Sequence, residues 1–219
     1  MTAQFFSLLD ELLRRSFRMA GTVEHMLAAG GQAMERADAG LARSIIEQDQ
    51  AVDEEEVAIE SEALRLMTLF QPMGADMRRL CTVLKVNNDL ERIADCAVNI
   101  AQRVCRLPAG VLGELGGDLM ELHRAVRRML RDALNALAVV DEDAAAGVRG
   151  QDARIDGMYA RYVRKVIAAA GGRDSGGLSA CLDVLAIAKS LERIADHAAN
   201  IAEDVIYMGS GRIVRHEVA

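Results

Sequence analysis

Tryptophan is absent from this 219-residue chain, and aromatic residues make up only 3% of it. The 51% that is hydrophobic must therefore fill an interior mainly with Ala, Leu, Ile, Val and Met. Small and aliphatic side chains of this kind suit helices packed closely against one another. Two prolines and little alternation of β-branched residues leave no basis for a sandwich, a barrel or a parallel sheet. The expected class is all-α. Positive charge is in deficit: 26 Lys and Arg against 33 Asp and Glu give a net charge of −7, which argues against nucleic acid or an anionic membrane surface as partner. Long apolar runs are missing too. The longest stretches free of Asp, Glu, Lys and Arg, His25 to Met34 and Leu66 to Ala75, have 10 residues each, whereas a bilayer span needs roughly 20. Met1 to Asp10 carries neither the basic start nor the small-residue cleavage site of an export signal, so a cytoplasmic location is expected. The cysteines, Cys81, Cys96, Cys105 and Cys181, have no C-x-x-C spacing and sit in apolar helical patterns. They read as reduced, buried thiols.

Breakers divide the chain at Asp38-Ala39-Gly40, Pro72-Met73-Gly74, Pro108-Ala109-Gly110, Asp141 to Asp143, and the glycine-rich stretch from Gly171 to Gly177. Between them apolar residues recur every three or four positions. This predicts six helices, at about 3–37, 41–70, 75–107, 111–139, 142–170 and 177–208, with Gly30-Gly31 as a place where the first could split or kink. Leu90 to Val104 reads LERIADCAVNIAQRV and Leu191 to Val205 reads LERIADHAANIAEDV, eleven identities in fifteen positions at a displacement of 101. That displacement, give or take two residues, maps the first three predicted helices onto the last three. The chain is therefore expected to be two tandem three-helix bundles, residues 1–107 and 108–219, joined without a flexible linker into one elongated body.

On a helical wheel Glu91, Asp95 and Asn99 fall on one stripe, away from Ile93, Ala94, Ala97, Ile100, Ala101 and Val104. Glu192, Asp196 and Asn200 repeat this stripe in the second half. Carboxylates four residues apart repel by roughly 0.2–0.5 kcal/mol in an isolated helix, so something must offset the repulsion. The preceding helix in the first half carries Asp49, Asp53, Glu56 and Glu60, and a hairpin brings this stripe towards Glu91 and Asp95. Asp152 and Asp156 match it opposite Glu192 and Asp196, with Tyr159 and Val163 in the places of Glu56 and Glu60. Four converging carboxylates would make a hard anionic site for Mg²⁺, Ca²⁺, Mn²⁺ or iron, and bridging carboxylates could gather several ions. The plainer reading is a solvated helix face with Arg92 and Arg193 as ordinary ion-pair partners. Repetition of both motifs, while Cys96 and His197 or Arg103 and Asp204 diverge, favours metal. No Glu stands three residues before any histidine, as a ferritin-like di-iron centre requires, and no nucleophile elbow, P-loop or dinucleotide fingerprint is present. His197, beside Asp196, reads as a half-buried histidine or an outer group of the site.

The segment LERIADHAANIAEDVIYM (191–208) followed by Arg215-His216, together with Gln71-Pro72-Met73, Asp76, Arg78 and Asn88 to Asp95, resembles the PhoU family over residues 5–216. The resemblance implies a cytoplasmic homodimer of duplicated three-helix bundles. It also implies multinuclear metal clusters of iron, zinc, manganese, magnesium or calcium, held through Asp49, Asp53, Glu91 and Asp95 and through Asp152, Asp156, Glu192 and Asp196. Cys96 departs from the histidine more usual at that place, which bears on whether the two clusters are equivalent. The role implied is that of a non-enzymatic negative regulator of the phosphate-starvation response, linking the ATPase of a phosphate-specific ABC transporter to a sensor histidine kinase. Metal storage, metal-dependent hydrolysis and a purely structural scaffold are the competing readings.

Overall fold

The computed structural model describes residues 2–108 and 110–214, so Ala109 and the Arg215-His216 element lie outside the described residues. The described residues form seven helices: α1 (Ala3–Arg36), α2 (Ala39–Phe70), α3 (Ala75–Val104), α4 (Val111–Val139), α5 (Glu142–Arg149), α6 (Asp152–Ala170) and α7 (Ser175–Ser210). No strand occurs among the described residues. At 1.5 Å per residue the longest, α7, runs about 54 Å.

Helix ends follow the local chemistry that the sequence offers. Thr2, Asp38, Asp141 and Asp174 each accept a backbone N–H of the first turn, which satisfies donors the helix cannot. The connection into α2 and the connection into α5 are built alike: a left-handed residue, Ala37 (φ 51°) or Val140 (φ 54°), is followed directly by the capping aspartate. The duplication thus extends to the turns. Gly211 (φ 79°) ends α7.

Two expectations about helix continuity are corrected. Gly30-Gly31 produces no break, because α1 runs unbroken to Arg36; Gly31 instead makes room for the His123 ring, which a Cβ there would meet at 2.2 Å. The predicted fifth helix, 142–170, is two helices. Gly150 and Gln151 keep helical dihedrals, but Gln151 N–H turns to the Val148 carbonyl at 2.9 Å and Arg154 N–H to the Gln151 carbonyl at 3.1 Å. Such i→i+3 bonds tighten the chain into a bend. Asp152 consequently opens a helix, whereas its counterpart Asp49 lies inside one.

Helices α1, α2 and α3 form one bundle and α4 to α7 the other, and the most extensive helix pair in the molecule, α3 with α7, joins them. Fully buried Leu90 and Leu191, one from each repeat, lie in the common core, each contributing roughly 1.5–3 kcal/mol by leaving water. Buried Ala94, Ala97 and Ala101 on α3 and Ala195, Ala198 and Ala202 on α7 keep both helices slender enough for close approach. The seam carries charge as well. Lys85 Nζ lies 2.8 Å from Asp204 Oδ1, Arg103 donates to Asp183 Oδ1 at 2.9 Å, and His197 Nδ1 meets Asp89 Oδ1 at 2.8 Å. As the chain advances along α3 its partners recede along α7, so the two run antiparallel. A second contact between the bundles sets buried His123 of α4 on α1, with Nε2 2.9 Å from the Leu27 carbonyl.

The thiol expectation holds in part. All four cysteines are free, but only Cys96 and Cys181 are buried; Cys81 is half-buried and Cys105 is exposed at the end of α3.

Candidate metal centre

The α2–α3 hairpin brings the two acidic stripes of the first half side by side. Buried Ile45, Val52 and Ile59 fix the inward face of α2, and Ile93, Ala97 and Ile100 fix that of α3. Asp49, Glu91 and Asp95 are left half-buried along the groove between them, with Asp53 exposed at its rim. The proximity is electrostatically visible. Burial and the charges of Asp53 and Asp95 push the Asp49 carboxyl above its ordinary range, so Asp49 on α2 senses Asp95 on α3. Glu91 is raised by burial first, then by Asp95, with Asp53 and Glu56 of α2 adding to it against the opposing Arg92.

The second half repeats the arrangement. Asp152 is raised by burial, Asp156, Glu192 and Glu203. Asp196 is pushed up to about 6 by burial and then by Glu192 and Asp152, with a smaller contribution from Asp156 and partial relief from Lys189. Charge is therefore felt across packed helices in both halves: Asp49 by Asp53 and Asp95, and Glu91 by Asp95 and Asp53, in the first; Asp152 by Asp156 and Glu192, and Asp196 by Glu192, Asp152 and Asp156, in the second. Glu203, on α7, is a further acid near the second group that the stripe reading did not include.

Asp49 and Asp152 occupy equivalent places, and in each Oδ1 is buried without a hydrogen-bond partner. An acceptor left buried and unsatisfied costs about 1–3 kcal/mol, more when charged, and the same oxygen is left so in both repeats. Among the described residues one cation is ion-paired with each group. Arg92 reaches Glu91 at 3.2 Å and Asp95 at 3.3 Å, as expected. In the second half Lys189, not Arg193, approaches Glu192 at 2.6 Å; Asn88 stands in the corresponding place of the first half.

The side chains do not close on a point in the arrangement seen: among the described residues no three of His, Cys, Asp and Glu are grouped to hold an ion. The donor set still fits a hard cation in its chemistry, since it is made of oxygen, carries excess negative charge and includes one unsatisfied buried oxygen per group. Closure onto an ion requires carboxylate rotation, which half-exposed side chains on helices allow. Asn200 is not part of the second group. It turns into the seam, where its Nδ2 donates to Asp89 Oδ1 at 3.3 Å, beside His197. An apolar cavity of about 240 Å³, lined by residues such as Phe6, Phe17, Val83 and Leu137, shares no residue with either carboxylate group.

Fold and site together define a class: a duplicated antiparallel helical protein with one acidic interhelical groove per repeat. The family model described as the PhoU domain matches residues 17–104 and again 119–205, and the chain belongs to the PhoU family. Its relatives include a phosphate-specific transport system accessory protein PhoU homolog of Pseudomonas putida, 35% identical over 99% of this chain and 84% of that protein. A homolog of the same description from Zymomonas mobilis is 36% identical over 89% of this chain and 81% of its own length. The crystal structure of PhoU from Pseudomonas aeruginosa superposes with a TM-score of 0.88 at 32% identity, covering 95% of this chain and all of that one.

Proposed function

We propose that this chain is a cytoplasmic regulator of phosphate-specific transport and of the phosphate-starvation response. It acts by contact with the transporter's ATPase subunit and with a sensor histidine kinase, as a homodimer. The observation that carries the reading within the molecule is the repeated carboxylate group with its orphaned Asp49 and Asp152 oxygens, inside a fold that its relatives share as transport accessory proteins. The modules are the duplicated units 1–107 and 108–219.

Metal ions enter as the neutralising partner of each groove. When bound they supply positive charge shared among several carboxylates. Asp49 and Asp53 on α2 with Glu91 and Asp95 on α3 would hold one group of ions, and Asp152 and Asp156 on α6 with Glu192 and Asp196 on α7 the other. The protein's own residues do the rest: the buried aliphatic faces hold the helices at fixed spacing, and Arg92 and Lys189 offset part of the repulsion before any ion binds. Loading would convert two acidic faces into faces of low net charge, which changes what a partner meets. No helix among the described residues is long and apolar enough to cross a membrane, which suits an accessory that reaches membrane machinery from solution.

The reading puts regulation, not turnover, at these grooves. His123 is committed to the Leu27 carbonyl and His197 to Asp89, so neither is aimed at the carboxylates as a base. The test is recovery of partners from cells grown with and without phosphate. The native chain should bring down the transporter ATPase and the kinase under phosphate sufficiency, and a chain with Asp49, Asp95, Asp152 and Asp196 all changed to Asn should lose one or both while keeping its helicity. Equal recovery by both proteins contradicts a regulatory role for the grooves.

A further inference from the structure

The duplicated outer helices have diverged in charge. α2 carries eight acidic and two basic residues; its counterpart α6 carries two acidic and four basic. At the displacement of 103 that pairs Asp49 with Asp152, Ala58, Ser61 and Glu62 are replaced by Arg161, Arg164 and Lys165, and Glu54 by Gly157. Lys165 is engaged with Asp118 of α4 at 2.7 Å. Arg154, Arg161 and Arg164 are exposed and have no ion-pair or hydrogen-bond partner among the described residues.

Each of these faces also exposes large apolar side chains. On α2 these are Val57 (62%) and Leu64 (48%), seven residues apart and so on one line. Glu54 and Glu60, both exposed, flank them. On the other side Ile167 (62%) near the end of α6 is joined through the short α6–α7 turn to Leu178 (44%) and Leu182 (68%) at the start of α7. The α2 face is apolar with Glu54 and Glu60 beside it; the α6–α7 face is apolar at its turn end with Arg161 and Arg164 beside it, while the acidic residues Asp152, Asp156, Glu192 and Asp196 lie farther along the same two helices. Within a single chain they do not meet, because α2 packs on α1 and α3 while α6 packs on α4 and α7.

We infer that the occupant of the α6–α7 face is a second copy of this chain, seated through α2. Leu64 and Val57 of one copy lie against Ile167, Leu178 and Leu182 of the next, and Glu54 and Glu60 face Arg161 and Arg164. Since the two faces are different surfaces of the chain, the contact is head-to-tail. It adds copies beyond a symmetric dimer and does not use the same surface twice. Helix α6 is about 28 Å long, and one exposed strip of it falls short of the ~800 Å² per partner of a standard interface. The association is therefore weak, and because it depends on exposed charges it fades with salt. It does not rest on metal in the carboxylate grooves.

Sedimentation analysis of the full chain over a wide range of protein concentration, at low and high salt, tests this. The weight-average mass should climb with concentration at low salt and the climb should vanish at high salt. Arg161→Glu with Arg164→Glu should weaken the association about tenfold or more, as should Glu54→Arg with Glu60→Arg, and mixing the two variants should restore a mixed complex. Circular dichroism of each variant checks that the helices persist. A mass constant with concentration, whether that of a monomer or of a dimer, overturns the inference. So does a climb that charge reversal leaves unchanged.

Discussion

Arg103 and Asp204 occupy equivalent positions in the two repeats and carry opposite charge, yet each makes an ion pair across the same seam, Arg103 with Asp183 and Asp204 with Lys85. The partners have changed with them, since Thr82 stands where Asp183 does in the other half and gives its hydroxyl to the Asp204 backbone carbonyl at 3.5 Å. The two repeats thus differ in charge at matching places along the seam while each pair across it is balanced.

Removing one side of such a pair leaves a charge behind in the seam. Asp204 is nearly fully buried, while the Lys85 side chain is 37% exposed. Lys85→Ala should therefore cost about 1–3 kcal/mol, below the full penalty for a wholly buried pair. Lys85→Ala combined with Asp204→Ala should cost less than the sum of the two single changes. Urea unfolding of the four proteins gives the coupling.

The contact of His123 with Gly31 allows almost no room. Gly31→Ala would set a Cβ 2.2 Å from the ring and should destabilise the protein by about 2–4 kcal/mol, although alanine favours helix. Adding His123→Ala should recover part of the loss, because the smaller side chain removes the clash at the price of a cavity. Thermal unfolding of the single and double variants distinguishes steric conflict from a general intolerance of side chains at Gly31.

Val140 holds a left-handed conformation that its branched Cβ disfavours. Val140→Gly relieves about 1–2 kcal/mol of that strain and loses roughly 0.5–1 kcal/mol to added freedom of the unfolded chain. A net gain of up to about 1 kcal/mol is expected by chemical denaturation, with the Asp141 cap undisturbed.

The carboxylate grooves give a pH dependence of definite sign. In the metal-free protein the Asp196 carboxyl is raised from 3.8 in the unfolded chain to about 6, so the folded state binds this proton more tightly. Its stabilising contribution is complete below about pH 4 and is lost as pH rises through about 6. Asp196→Asn removes the repulsive charge, so the metal-free variant should gain on the native chain as pH rises from 4 to 7. Parallel melting curves from pH 4 to 7 check this; a constant difference between the two proteins contradicts it.

The helices and the duplication were legible in the sequence because both are local or repetitive signals: breakers such as Asp38-Ala39-Gly40 between stretches of apolar periodicity, and eleven identities repeated between Leu90–Val104 and Leu191–Val205. The i, i+4 spacing of the carboxylates likewise places each pair on one side of its helix, and the mutual influence of Asp49 and Asp95 follows from the packing of α2 on α3. What escaped depends on contacts between distant residues. Asp89, Lys85 and Asp204 look like ordinary polar positions until α3 meets α7 more than a hundred residues away, and Asn200 looks like a member of the outer stripe until Asp89 turns it inward. Gly31 has the local signature of a breaker but serves as packing space, while the bend at Gly150 lay hidden in a segment whose apolar period continues across it. Lys189 escaped because its counterpart in the first half, Asn88, carries no charge to point towards it.

On the proposed function, the carboxylates of two helices in each repeat hold ions in common. Elemental analysis of the native chain and of a chain with Asp49, Asp53, Glu91 and Asp95 changed to Asn and Gln, both purified without chelator, tests it most directly. The account predicts that the variant stays helical and loses the metal of the first repeat while retaining that of the second. Metal content equal in the two proteins, or absent from the native chain even after incubation with divalent cations or iron, would contradict it.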